Sequence, residues 1–193
     1  MRVLVACEFS GIVRDAFIKR GHDAVSCDLL PTERPGPHIQ GDVLDILDDG
    51  WDMMIAHPPC TYLSNAGAVH YYGKKAKNVE ARKKKGLQAK DFFLKLLNAP
   101  MARKCVENPN PLKMFNLPKH SQVIQPYQFG HPFSKRTLLW LRNLPLLSPT
   151  SVLTERQSTK KAGNWFNKGG KNRQKNRAKT FQGIADAMAE QWG

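Results

Sequence analysis

The chain has few cysteines and no close pair among them. Cys7, Cys27, Cys60 and Cys105 lie far apart, with no C-x-x-C spacing, which excludes the dense disulfide framework of a small secreted domain and predicts a reduced, cytoplasmic protein. His57 and Cys60 form an H-x-x-C pair without the second pair that zinc spacing needs, so no metal is expected. No apolar run is long enough to span a bilayer, and the opening "MRVLVACEFSG" is too short and too early broken by Glu8 to read as a signal segment. A membrane partner and targeting are therefore not expected. There is no internal repeat, and 193 residues suit one domain with a sizeable core.

Acids are scarce outside the first third. Residues 1–56 hold five Lys or Arg against ten Asp or Glu, whereas the rest of the chain is basic throughout and brings the formal charge to +14. An acidic first third joined to a basic remainder fits a cationic or hydroxyl-rich small cofactor at one end and a nucleic acid along the other. A merely solvated basic surface is the plainer alternative.

Hydrophobic periodicity orders the elements. "MRVLVAC", "DAVSCDL", "WDMMIAH", "ARKCVENP" and "TLLWL" read as buried strands. "GIVRDAFIKRG" sets Ile12, Val13, Ala16 and Phe17 at helical spacing, "GLQAKDFFLKLLNAP" sets Leu87, Phe92, Leu96 and Leu97 on one face, and "TFQGIADAMAEQW" does so with Ile184, Ala187, Met188 and Gln191. The alternation predicts an α/β, doubly wound parallel sheet in a single domain, 1–193. Two basic loops, about 61–85 and 142–179, would face the nucleic acid. The first carries Lys74, Lys75, Lys77, Arg82, Lys83, Lys84 and Lys85 with Tyr71 and Tyr72, which could stack on bases or simply pack. The second carries Arg156, Lys160, Lys161, Lys168, Lys171, Arg173, Lys175, Arg177 and Lys179 around Trp165 and Phe166.

In such sheets ligands meet the carboxyl ends of the strands. This sequence places there "CEFSG", Asp28, Gly41 and Asp42, "HPPC", and Glu107 with Asn108. An acid closing the second strand is where the fold class holds ribose hydroxyls, and Asp42 reads equally as a ribose ligand or a helix cap. Pro58 and Pro59 fix two φ angles, so Cys60 leaves its strand on a stiff arm, as attack on a positioned ring requires.

These motifs resemble those of the cytosine-5 DNA methyltransferases. "PPCTYLS" is similar to the family's Pro-Pro-Cys motif, "VENPN" to its Glu-Asn-Val motif one strand later, "FSKRTLLWL" to its arginine motif, "KTFQGIADAMAEQW" to its closing helix, and "EFSG" to its first cofactor loop. The resemblance implies a Rossmann-like class I methyltransferase sheet, S-adenosylmethionine as cofactor and DNA as partner. It makes Cys60 the nucleophile that adds to cytosine carbon 6, Glu107 the acid at ring nitrogen 3, and Arg136 the contact to the base carbonyl and a cation for the thiolate. Glu8, Phe9, Ser10, Gly11, Asp28, Asp42 and Pro58 would surround the cofactor; Pro59, Ser64, Asn108 and Lys135 would lie along the substrate, Asn108 mainly bracing its loop. Because the target atoms are hidden in a duplex, the base must be flipped out or already unpaired.

The chain departs from the family where Val13 and Arg14 replace glycines, where Pro109 replaces Val, and where a Gln-x-Arg-x-Arg run is reduced to Arg136 beside Lys135. It also lacks the family's long target-recognition region, having only 142–179, which implies weak or short sequence specificity, or help from a second subunit, as in small phage-like forms. The oligomeric state stays open, a dimer included. RNA cytosine methylation and a non-catalytic nucleic-acid-binding protein on the same scaffold are the alternatives.

Overall fold

The computed structural model describes residues 1–72, 76–155 and 173–193. Its centre is a seven-stranded sheet among these residues, formed by β1 (Arg2–Ala6), β2 (Asp23–Asp28), β3 (His38–Gln40), β4 (Met53–Ala56), β5 (Arg103–Pro109), β6 (Gln122–Ile124) and β7 (Thr137–Arg142). The order is β3-β2-β1-β4-β5-β7-β6. Strands β3, β2, β1, β4 and β5 run parallel, whereas β7 is antiparallel to both β5 and β6. This is a doubly wound, Rossmann-like α/β sheet. The reversed β7 corrects the expectation of a wholly parallel sheet: β6 and β7 are joined by 12 intervening residues that hold only a tight 3-10 turn at Pro126–Gln128, so no crossover helix carries the chain back.

Strands β1 and β4 are buried on both faces, as their unbroken apolar runs require. One face packs against α1 (Ile12–Lys19) and the closing helix α5 (Gln182–Trp192), through Val3, Val5, Phe17, Ile184 and Met188. The other packs against α3 (Val79–Leu97), through Leu4, Met54, Phe93 and Leu96. The inward face of α3 carries Phe93, not Leu87, which is exposed; Gly86 on the same face lies directly under the Phe115 ring.

The first basic loop is largely structured. It contains a 3-10 turn at Asn65–Gly67, the short helix α2 (Val69–Tyr72) and the whole first two turns of α3, which begins at Val79 rather than at Gly86. Lys and Arg are good helix formers, so a run without apolar periodicity can still be helical once its later turns dock. From the second basic stretch, α4 (Arg173–Ala178) returns toward the sheet. Lys74, Lys75, Arg156, Lys160, Lys161, Lys168 and Lys171, with Trp165 and Phe166, fall outside the described residues, as does the side chain of Arg173.

Candidate active site

The first loop is shaped by charge. Cys7 leaves β1 in the left-handed region, φ 57°, uncommon for a residue with a side chain, and so turns the chain sharply out of the sheet. Gly11 precedes α1 at φ 72° and offers no side-chain cap. The buried Glu8 carboxylate does that work instead, accepting from Val13 N at 2.8 Å, Arg14 N at 3.3 Å and Ser10 Oγ at 3.0 Å. Arg14 is wholly buried. Its guanidinium donates to Asp15, Ser26, Thr32 and the carbonyls of Arg34 and Pro35, and it lies against Gly11 and Gly36, where any Cβ would collide with it. The residue standing where the resembled family has glycine therefore organises the loop after β2.

Beside this loop lies an open cavity of about 350 Å³. Asp28 and Asp42 line it with Cys7, Leu29, Pro59 and Phe92, so two acids and an apolar wall face one space. Asp42 also caps the following 3-10 turn, Oδ1 accepting from Leu44 N at 3.0 Å, and Asp28 Oδ1 accepts from Leu30 N at 2.9 Å. Asp42 thus acts as a cap, and the same residue borders the cavity. Pro58 is buried and does not reach the cavity, whereas the exposed Pro59 does. Phe9 is covered by Lys175, whose Nζ sits 5.0 Å from the ring centroid. Lys175 and Lys179 in turn grip Glu33 at 3.2 and 2.6 Å, drawing α4 down onto the first loop.

Cys60 begins a tight turn, its carbonyl accepting from Leu63 N at 3.1 Å and Ser64 N at 2.9 Å. The turn is stitched to the segment after β5: Asn65 N donates to Asn110 O and Leu112 N to Leu63 O, both at 2.7 Å, and Ser64 bridges Pro111. Ser64 is buried in that seam. Asn108 is buried too, Nδ2 donating to Pro109 O at 2.6 Å, which braces the same segment. The turn that carries Cys60 and the end of β5 that carries Glu107 are consequently held side by side.

Their electrostatics are coupled. Burial pushes the Cys60 thiol up, and the Glu107 charge pushes it further, while Lys135 and Arg177 pull it down without reversing the shift. Glu107 is opposed by burial but held below the ordinary carboxylate range by His57 and Lys135. Lys135 is fixed by donating to Arg177 O at 3.0 Å. Lys135 and Arg177, rather than Arg136, are the cations acting on the thiol; Arg136 is exposed and donates from Nε to Asn110 Oδ1 at 3.0 Å. His57, which the sequence offers only as half of an H-x-x-C pair, has its Nδ1 3.6 Å from Glu107 Oε2. Nothing in its spacing marks it; only the strand register brings β4 and β5 together there.

Around this site the described surface is basic. Arg82 lies between the rings of Tyr62 and Tyr71, 5.0 Å from each centroid, and donates to Thr61 O at 3.3 Å. Tyr71 is buried and packs, whereas Tyr72 is 68% exposed, its hydroxyl donating to Met114 Sδ at 3.2 Å. Lys84 and Lys85 are exposed on the first turns of α3. No helix among the described residues is long and apolar enough to cross a membrane.

No family model matches the chain, and no curated protein does. Among solved structures it is similar to a protein assigned as a DNA modification methyltransferase encoded within an E. coli prophage, at 11% identity and a TM-score of 0.47 over 88% of this chain. It is likewise similar to the Entamoeba histolytica methyltransferase EhMeth, at 14% identity and a TM-score of 0.47 over 89% of this chain. The chain spans 56% and 61% of the lengths of these two proteins.

Proposed function

We propose that the protein is an S-adenosylmethionine-dependent methyltransferase acting on carbon 5 of cytosine in DNA through a covalent cysteine adduct, with weak or short sequence specificity. The observation that carries this reading is the seam between the Cys60 turn and the end of β5, which keeps a thiol and a half-buried carboxyl within each other's field and that of the same cation, Lys135.

The cavity beside Cys7 fits the cofactor. Asp28 and Asp42 suit ribose hydroxyls, Leu29 and Phe92 suit an adenine face, and the acidic character of residues 1–56 suits a sulfonium. When bound, the cofactor supplies an electrophilic methyl group. The chain's own residues supply the rest. Cys60, carried on the Pro58–Pro59 arm, adds as thiolate to ring carbon 6 and makes carbon 5 nucleophilic. Glu107 meets the charge that builds at ring nitrogen 3, Arg136 and Lys135 border the ring's carbonyl side, and Pro59, Ser64 and Asn108 keep the two loops in register. Lys84, Lys85 and Tyr72 meet the strand carrying the flipped base.

The test is product analysis. Protein, S-adenosylmethionine and cytosine-containing duplex DNA, single-stranded DNA or tRNA are incubated, and the nucleic acid is digested to nucleosides. 5-Methylcytosine in DNA is expected, with the rate lost by at least about 10³-fold in Cys60→Ser. Methylation confined to tRNA would move the substrate to RNA, and methyl transfer to any other atom would overturn the reading.

A further inference from the structure

The addition chemistry makes a demand that the resting pocket does not meet. Glu107 must offer a proton to ring nitrogen 3, yet its surroundings keep it ionised. A proton source has to lie within reach of that carboxylate.

His57 occupies that place. It lies between the end of β4 and the Pro58–Pro59–Cys60 arm, its backbone N–H donating to Ala6 O at 2.9 Å, which anchors the residue to the end of β1. The side chain is 6% exposed, and neither ring nitrogen has a hydrogen-bond partner among the described residues. Buried polar atoms are seldom left so, and a group in this state invites a functional explanation. Nδ1 points to Glu107 Oε2 at 3.6 Å, just beyond hydrogen-bond reach, and Glu107 itself is 19% exposed, so it retains an edge toward a ligand. Deepening the cytosine reading, on which it rests, we propose that His57 is a positioning residue that stores on Nδ1 the proton Glu107 presents to cytosine nitrogen 3.

The proton balance is closed. Before the base enters, the pair holds one proton, with imidazolium on His57 and carboxylate on Glu107. As nitrogen 3 arrives, the proton passes from Nδ1 to Oε2, leaving a neutral imidazole and a neutral carboxyl that donates to the ring. Loss of the Glu107 charge also removes one of the two influences that hold Cys60 as a thiol, so its proton leaves to solvent and the thiolate forms the bond to carbon 6. The electron pair displaced from the ring double bond ends at nitrogen 3 and takes the Glu107 proton. After methyl transfer the proton on carbon 5 leaves to solvent, its bonding electrons re-form the carbon 5–carbon 6 double bond as the sulfur departs as thiolate, and nitrogen 3 returns its own proton to the pair.

The groups facing His57 favour this arrangement. Burial opposes its charge, but Glu107 from β5 and Glu8 from the loop after β1 outweigh burial and Lys135, and its pKa is raised. Cys7 and Lys179 also line the small cavity that His57 shares with Glu8. The competent form is the pair with one proton, lost as pH rises through the His57 titration, which lies above the ordinary histidine value.

The experiment compares wild type with His57→Gln across pH 6 to 8, using kcat/KM for methyl transfer to cytosine DNA. Without His57 the basic limb moves to lower pH, and the ratio of wild-type to variant rate grows by about tenfold between pH 6 and pH 8. A ratio constant across pH marks a purely structural role and overturns the proposal. Whether or not the variant folds, ¹⁵N-histidine NMR of the free wild type and of Glu107→Gln decides the pairing: the His57 titration is expected above the ordinary range and should fall in the variant. A His57 signal indifferent to Glu107→Gln overturns the shared proton. If wild type makes no 5-methylcytosine at any pH, the cytosine reading fails and proton delivery with it, even where the NMR titration upholds the pair.

Discussion

At the scale of single residues the site is a competition between burial and neighbouring charge. All four cysteines have raised pKa values, but for Cys7, Cys27 and Cys105 burial and nearby acids meet no opposing cation; Cys27, for example, is pushed up to about 11 by burial and then by Asp28. Only Cys60 has cations, Lys135 and Arg177, pulling the other way. Cys60 should therefore be the fastest thiol to react with iodoacetamide at pH 8, read by peptide mass spectrometry. Glu107→Gln removes the negative neighbour and should speed that reaction by roughly threefold to tenfold, while Lys135→Met should slow it. The opposite pair of changes would mean that these side chains do not share a field. Much of this was legible in the sequence: two prolines announce a stiffly mounted Cys60, and Glu107 stands at a strand end. His57 and the role of Lys135 were not, because His57 acts through Glu107, 50 residues further along the chain and brought near by strand register, while Lys135 acts on Glu107 from the segment before β7.

At the scale of elements, buried apolar strands declared themselves and short polar ones did not. β1, β4 and β7 are read directly from their apolar runs. β3 and β6 have three residues each and no alternation, so only their neighbours on the sheet define them. The start of α3 was hidden because its first turns are basic and exposed, and its inner face is set by Phe93 and Gly86 rather than by the exposed Leu87. Arg14 is the clearest case of an element-level role concealed by composition. A basic residue in the first turn of α1 reads as a surface charge, yet it is the group around which the 29–37 loop is folded, with five partners and two glycines against it. Arg14→Leu removes the buried donor of the part-buried bonds to the Arg34 and Pro35 carbonyls and to Ser26 and Thr32. It should lower the free energy of unfolding by about 2–4 kcal/mol in urea titration, and loosen the cavity that Asp28 lines. A loss below about 0.5 kcal/mol would mean that the loop is held by something else.

At the scale of the whole molecule, charge is divided as function would divide it. The acidic first third builds the loops around the open cavity, while the basic remainder supplies α3, α4 and the segment before β7, which border Cys60. The sequence displayed that division plainly; what it could not display was how the two parts meet, because the contact between Glu33 and the Lys175–Lys179 pair joins positions more than 140 residues apart. The account rests on the meeting of Cys60 and Glu107 at one pyrimidine, and a covalent trap tests this most directly. Fluorine at carbon 5 blocks the proton loss that frees the enzyme, so wild type incubated with S-adenosylmethionine and 5-fluorocytosine DNA should yield a stable protein–DNA complex. Mass spectrometry should place that link on the peptide bearing Cys60, and Cys60→Ser should abolish it. An adduct on another residue, one that persists in Cys60→Ser, or none at all would contradict the account.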